Sequence, residues 1–414
     1  MRIEHRIHDI ITRAAPDYVA LLREFIAVPS ILGSETALQT RVKDHMRDLG
    51  VFEREVFANP FAPYVPSGRS YDDRPCIVGR IRGNGEHHLI LNAHADTAPV
   101  EDPTSWTHPP FAGEIADGKL FGRGALDDKA GLAMMLLIAD CLRKADVRLP
   151  GDVLLQSVIE DEDSGNGTLA CTEAGYYSDA AVVIDGTWPF RIIDAHLGQI
   201  WVHFEIAGVA VASCSCRRGL NPLGLAGELI RCLQNWVASR NQQCERWLNV
   251  TDPHFVNVGT LHSGCWPGAV PEKAMLAVQI GFAPPLTPDH VLAQCRAVAQ
   301  EAIAREPRCR VGVRQGSLWT PPHANVNNQM VQSVMRTIRR LRPGEMEPIN
   351  QAVMGHCDLR HFRRPDGTVA DACLYGPGGG GNPHAPDEFY HLDHFIPVAQ
   401  NLVSAMLDFY GISG

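Results

Sequence analysis

The sequence predicts an α/β protein in which a catalytic domain, built on a mostly parallel sheet, is interrupted by an inserted α+β domain of ferredoxin-like order. Three observations carry this. Short, continuously apolar runs (HLILNA, DVLLQSVI, AAVVID) alternate with helical segments in the first half of the chain. Near residue 195 the runs become polar/apolar alternations arranged β-α-β-β-α. Beyond about residue 315 helix and buried strand return. The expected divisions are 1–194 and 316–414 for the catalytic domain and 195–315 for the insertion.

Element by element, residues 1–30 read as a helix ending near AVPS, where Pro29 disfavours its continuation. CIVGRI and HLILNA follow as strands, and DKAGLAMMLLIADCLRKA as a helix apolar on nearly every side. DVLLQSVI and AAVVID are short buried strands, and their unbroken apolar character implies a sheet covered on both faces. In the insertion, IWVHFEIAGVAV alternates as a half-buried strand does. The helix GLAGELIRCLQNWVASR, the strands FVNVGTLHSG and AMLAVQIGF, the helix DHVLAQCRAVAQEAIAR and a last strand at CRVGVRQGS complete an antiparallel sheet with helices on one face. The strand DACLYG, a glycine loop and a helix from about residue 392 close the chain.

The 414 residues are 45% hydrophobic and 20% charged, ordinary for a globular protein with a large core. A net charge of −10 without a basic stripe argues against nucleic acid as a partner. Charge interrupts the N-terminus every few residues, so it lacks a signal-type apolar core and any membrane span of about 20 residues. The 12 cysteines form no repeated CxxC pair, which suits reduced thiols in a cytoplasmic protein. Cys214 and Cys216 in SCSC have metal-ligand chemistry, but two nearby thiols alone are a weak signal for a metal site. Gly378 to Gly381 lack the Lys-Ser/Thr of a P-loop and read as backbone freedom beside a site.

Five residues with metal-ligand chemistry each follow a strand-like run: His94, Asp127, Glu162, Asp185 and His384. Carboxyl ends of strands border the ligand crevice of an open α/β sheet, so residues distant in sequence meet there. Two imidazoles with three carboxylates suit a pair of divalent cations, zinc first, with Co2+ or Mn2+ as alternatives. Each piece also has an ordinary reading. Asp96, two residues beyond His94, orients its imidazole or merely sits in a turn. Asp127 and Asp128 deliver a carboxylate or cap the apolar helix, capping being the stronger reading for Asp128. Glu160 to Asp163 form a metal ligand with an adjacent general base, Asp161, or a solvated turn. Asp185 and His384 occupy loop positions that are commonly exposed. Their shared placement is the argument.

In order and wording these pieces resemble the co-catalytic zinc hydrolases that include acetylornithine deacetylase, succinyl-diaminopimelate desuccinylase, aminoacylase and glutamate carboxypeptidase. The resemblance runs through LNAHADTAPV, SWTHPPFAGEIADGKLFGRGALDDKAG, EDEDSGNGT, FVNVGTLHSG…AVP, DLRHF and GPG…HAPDE, nearly the whole chain. It implies a zinc-peptidase-like catalytic domain with an inserted dimerisation and lid domain. It further implies that Asp127 bridges the ions, with His94 and Asp185 completing one site and Glu162 and His384 the other. Arg360 and Asn221 fall where such enzymes contact substrate, and the insertion, 195–315, where they dimerise. The implied activity is amide hydrolysis of a small N-acyl amino acid or dipeptide-like compound by a homodimer.

Two positions depart from the family pattern. The catalytic glutamate that precedes the Glu162-type ligand is here Asp161, whose carboxylate is one methylene shorter. A displacement near 1 Å costs on the order of 100-fold in rate. The oxyanion-binding histidine, four residues after Gly208 and seven before Gly219, is here Ala212. Losing such a donor costs about 100- to 1000-fold. These departures raise two alternatives to hydrolysis: acyl transfer, cyclisation or condensation at the same ions, and a metal-holding protein without catalysis. His203 and His262 are candidates by location alone for replacing the absent histidine.

Overall fold

The computed structural model describes residues 3–59, 69–186, 188–325 and 327–412. A nine-stranded sheet runs in the order Phe52–Phe57, Pro75–Ile81, Val153–Val158, Leu89–His94, Ala180–Val183, Asp371–Leu374, Arg191–His196, His323–Ala324, with Ile349–Val353 also pairing to Arg191–His196. Val153–Val158, Leu89–His94, Ala180–Val183 and Asp371–Leu374 are mutually parallel. Antiparallel pairings lie toward both margins. Every residue of Leu89–His94 and Val153–Val158 is buried, as their continuous apolar character requires.

The helix Lys129–Lys144 is buried from Lys129 to Leu142. It lies on the sheet beneath the helices Ile3–Ile26 and Phe395–Phe409, so no side of it needs to be polar. The helix expected over 1–30 spans Ile3–Ile26, residues 1 and 2 lying outside the described residues. No helix among the described residues is long and apolar enough to cross a membrane.

A second, four-stranded antiparallel sheet has the order Phe255–Ser263, Lys273–Phe282, Gly198–Ala207, Arg310–Thr320. Ile200, Val202, Phe204 and Ile206 face the helices Pro222–Gln243 and Pro288–Ile303 in one apolar cluster. The alternate residues Gln199, Trp201, His203 and Glu205 therefore face the other way. The last strand continues past residue 315 to Thr320, and the next helix begins only at Gln329. Trp319 and Thr320 still pair with Ile200 and Gln199, which extends the strand beyond the expected boundary.

Candidate metal centre

The five expected ligands converge where the parallel strands end. His94 terminates Leu89–His94, Glu162 lies four residues past Val153–Val158, and Asp185 two past Ala180–Val183. Asp127 stands two residues before the helix Lys129–Lys144, and His384 occupies the loop after Asp371–Leu374. Asp127 turns one oxygen to each imidazole: Oδ1 is 2.9 Å from Nε2 of His94, and Oδ2 is 3.2 Å from Nε2 of His384. Nε2 of His384 is also 2.9 Å from Oε2 of Glu162. Ligand atoms of Asp127, Glu162 and His384 lie within 4.8 Å of one another, as do those of His94, Asp128 and Asp185. Cys214 and Cys216 belong to no such group among the described residues.

The electrostatics suit cations. Burial pushes Asp185 up to about 7, and the charge of Asp127 adds to the shift. Burial also raises Asp161 well above the usual carboxylate range, with Asp358 reinforcing it. His384 rises to about 11 because its ring hydrogen-bonds to Asp127 and Glu162. Burial opposes a charge on His94, yet the carboxylates of Asp161, Asp127 and Asp96 outweigh it. Carboxylates crowded around imidazoles that hold protons form a set in which divalent cations replace those protons. The donors therefore fit a pair of such ions, with Asp127 placed to bridge them.

Hydrogen bonds to the backbone set this geometry. Asp128 accepts from the backbone N–H of Gly131 and from that of His94, both at 3.1 Å, so it caps the helix and ties it to the ligand strand. Glu388, buried, accepts from the N–H groups of Gly124, Leu126 and Asp127 at 3.1, 3.0 and 3.1 Å and pairs with Arg123. It thereby fixes the loop that presents Asp127. The carboxylate of Asp96 accepts from the N–H of Asp161 at 3.3 Å and of Glu162 at 3.1 Å. The atom facing Nδ1 of His94 is the Asp96 carbonyl, at 2.9 Å, while its carboxylate stands 3.7 Å away. This corrects the expected orientation of His94 by the carboxylate, which is committed to the two N–H groups instead.

Asp161 opens onto the ligands, its Oδ2 3.9 Å from Nε2 of His94. Glu160 points away, into a buried network with Arg74 at 2.8 Å, Tyr71 at 3.1 Å and Ser164 at 2.8 Å. A cleft of about 610 Å³ adjoins the centre and is lined by Asp127, Asp161, Glu162, Asp185 and His384 together with Gln199, Trp201, Gln279 and His356. His356 spans Gln199 Oε1 at 3.0 Å and the carbonyl of Asp161 at 3.1 Å. Burial, with Arg360 nearby, lowers its pKa to about 4.

Arg360 and Asn221, expected to contact substrate, are not among the residues that line this cleft. Arg360 donates to the carbonyls of Cys357 and Ser164 at 2.8 and 3.0 Å and lines a different cavity with Trp319, His323 and His361. Asn221 caps the helix Pro222–Gln243, accepting from the N–H of Leu223 at 3.0 Å. Ala212 is exposed, in the short pairing of Val211–Ala212 with Ala269–Val270, and neither His203 nor His262 lines the cleft. Glu388 and His356 escaped the sequence reading because their partners lie far away in the chain. Gln199 and Trp201 carried a signal, the polar phase of an alternating strand, but nothing in the sequence aimed that phase at the ligands.

Residues 90–408 match Peptidase family M20/M25/M40. N-formyl-4-amino-5-aminomethyl-2-methylpyrimidine deformylase of Bacillus subtilis (strain 168) is 30% identical over 372 residues, 81% of this chain and 83% of that protein. Acetylornithine deacetylase of Shigella sonnei (strain Ss046) is 24% identical over 399 residues, 95% of this chain and 98% of that protein. Human carnosine dipeptidase 1 has the same fold, with a TM-score of 0.78 at 15% identity over 99% of this chain and 100% of that chain. The chain belongs to Peptidase family M20/M25/M40 and is a metal-binding hydrolase of amide or peptide bonds.

Proposed function

We propose that this chain is a dinuclear zinc deacylase that hydrolyses a small N-acylated amine, a class that includes N-acyl amino acids and dipeptide-like compounds. The observation that carries the reading is Asp127, whose two oxygens face His94 and His384 in the cleft that also holds Asp161. His94 and Asp185 would hold one ion, Glu162 and His384 the other, with Asp127 shared. When bound, such ions polarise an amide carbonyl and lower the pKa of water. Asp161 takes the proton of the attacking water and returns it to the departing amine. Asp96 holds the Asp161–Glu162 backbone in place through their N–H groups.

The B. subtilis relative is named for removing a formyl group, which favours a small acyl group here as well. The named activities of the relatives lend no support to acyl transfer, cyclisation, condensation or a metal-holding role without catalysis. We further propose a homodimer formed through the four-stranded sheet, whose strand Phe255–Ser263 is paired on one side only and mostly exposed. The free cysteines fit the reducing cytoplasm. The test is release of free amine by zinc-loaded protein from a panel of N-formyl and N-acetyl amines, amino acids and dipeptides. Turnover abolished by chelation and restored by zinc is the expected result. No turnover of any member by protein that has its full metal complement would contradict the proposal.

A further inference from the structure

The open face of the inserted sheet continues past the metal cleft. Trp201 and Gln279, directly opposite each other on Gly198–Ala207 and Lys273–Phe282, line the cleft itself. Two residues further along the first strand, His203 stands on the same face, and Arg314 of Arg310–Thr320 lies directly opposite it. Strand geometry roots Arg314 roughly 8 Å from Trp201, two residues along and one strand over. No long side chain stands across that path. On one side of His203 its partner is Ala277, and on the other Gly316 occupies the place where a Cβ would stand 2.6 Å from Cβ of Trp201 and 3.0 Å from Nε2 of His203.

The charge beyond the cleft is one-sided. Arg314 is exposed and forms no ion pair among the described residues, and the same holds for Arg310 and Lys273, which flank Ala207 further along this face. The one acid in the same rows is Glu205. Burial and the charge of Arg314 lower the pKa of His203, so its ring adds a neutral hydrogen-bonding group rather than another cation. In the proposed centre the cleft carboxylates are matched by the two metal ions, which leaves these side chains without a counter-charge. Exposed charge protects edge strands in general, but that does not require three cations against one acid on the face that leads out of the cleft. A homodimer joined along Phe255–Ser263, the opposite edge of the sheet, leaves Arg314 open.

Resting on the deacylase reading, we infer that the substrate extends along this face and ends in an anionic group, a carboxylate or a phosphate, received by Arg314 beside His203. Paired probes that differ only in the terminal group test it: N-formyl-8-aminooctanoate against its primary amide, and N-formyl-6-aminohexyl phosphate against the corresponding alcohol. N-formylglycine and its amide, too short to leave the ions, serve as the reference pair. Zinc-loaded enzyme should prefer at least one long anion to its neutral partner by about fivefold in kcat/KM, the effect of one exposed ion pair. Which anion is preferred identifies the terminal group. Arg314→Gln should bring that ratio to about one without moving the ratio of the reference pair, and Arg314→Lys should keep most of it. Raising the salt concentration should shrink the preference in the wild-type protein.

Long neutral probes turned over as well as both long anions, or a preference that survives Arg314→Gln, would overturn the inference while leaving the deacylase reading intact. Should no probe be turned over, dissociation constants from isothermal titration decide. Tighter binding of a long anion than of its neutral partner, lost in Arg314→Gln, supports the anion site even as the deacylase reading fails. Any other pattern, absence of binding included, overturns it.

Discussion

Asp161 and Glu162 are neighbours in the chain whose side chains turn to different partners. Glu162 turns toward His384 and Asp127, while Asp161, buried, brings its Oδ2 to 3.9 Å from Nε2 of His94. The aspartate was legible as a departure from the family's glutamate; that the shorter side chain still reaches the cleft was not, because reach depends on where the loop sits. That loop is set by Asp96, which accepts both backbone N–H groups, and by His356, which holds the Asp161 carbonyl. Asp161→Asn keeps the size and removes the base. It should lower kcat at least about 100-fold with metal content unchanged, as measured by steady-state kinetics beside metal analysis. A variant within about threefold of wild type would show that the proton moves elsewhere.

At the scale of elements, the loop before the helix Lys129–Lys144 shows what pattern reading reaches. GRGALDDK announced a tight turn carrying a carboxylate, and Asp128 caps the helix as its position suggested. The acceptor that holds this turn is Glu388, more than 250 residues away, which no local period can reveal. Glu388→Ala would leave three backbone N–H groups and Arg123 without their acceptor. The expected cost is about 2–4 kcal/mol in denaturant unfolding, with zinc affinity about tenfold weaker or worse. Unchanged stability and affinity would deny the loop its anchor. Elsewhere the sequence reading passed over Phe52–Phe57 and Arg191–His196. FEREVF alternates with charge in the manner of an edge strand, and RIIDAH is short and ends in polar residues; neither has the apolar run that marks a central strand.

For the whole molecule, the last hundred residues complete what the first two hundred begin. Asp371–Leu374 inserts between Ala180–Val183 and Arg191–His196, and the following loop carries His384 to Asp127. The two-part plan was readable because buried parallel strands and half-exposed antiparallel strands have different periods. Which strand of the second part entered which gap was not, since pairing order leaves no mark on a single chain. The N-terminal helix is tied to the helix Gln329–Leu341 by Glu4, whose carboxyl Arg340 holds down at about 2 by hydrogen bonding. A carboxylate whose folded pKa lies below its unfolded value of 4.5 stabilises the fold above that pH and loses its effect as pH falls toward 2. Arg340→Gln should therefore lower Tm at pH 7 by more than it does near pH 3, as followed by circular dichroism. A deficit that grows on acidification would contradict this assignment.

The central claim is that folding gathers two imidazoles and three carboxylates into a centre for a pair of ions shared through Asp127. Equilibrium dialysis against zinc followed by elemental analysis tests it most directly. Wild-type protein should hold about two zinc ions per chain, and folded Asp127→Ala fewer than one. Folded wild-type protein that retains one zinc or none at saturation would contradict the account.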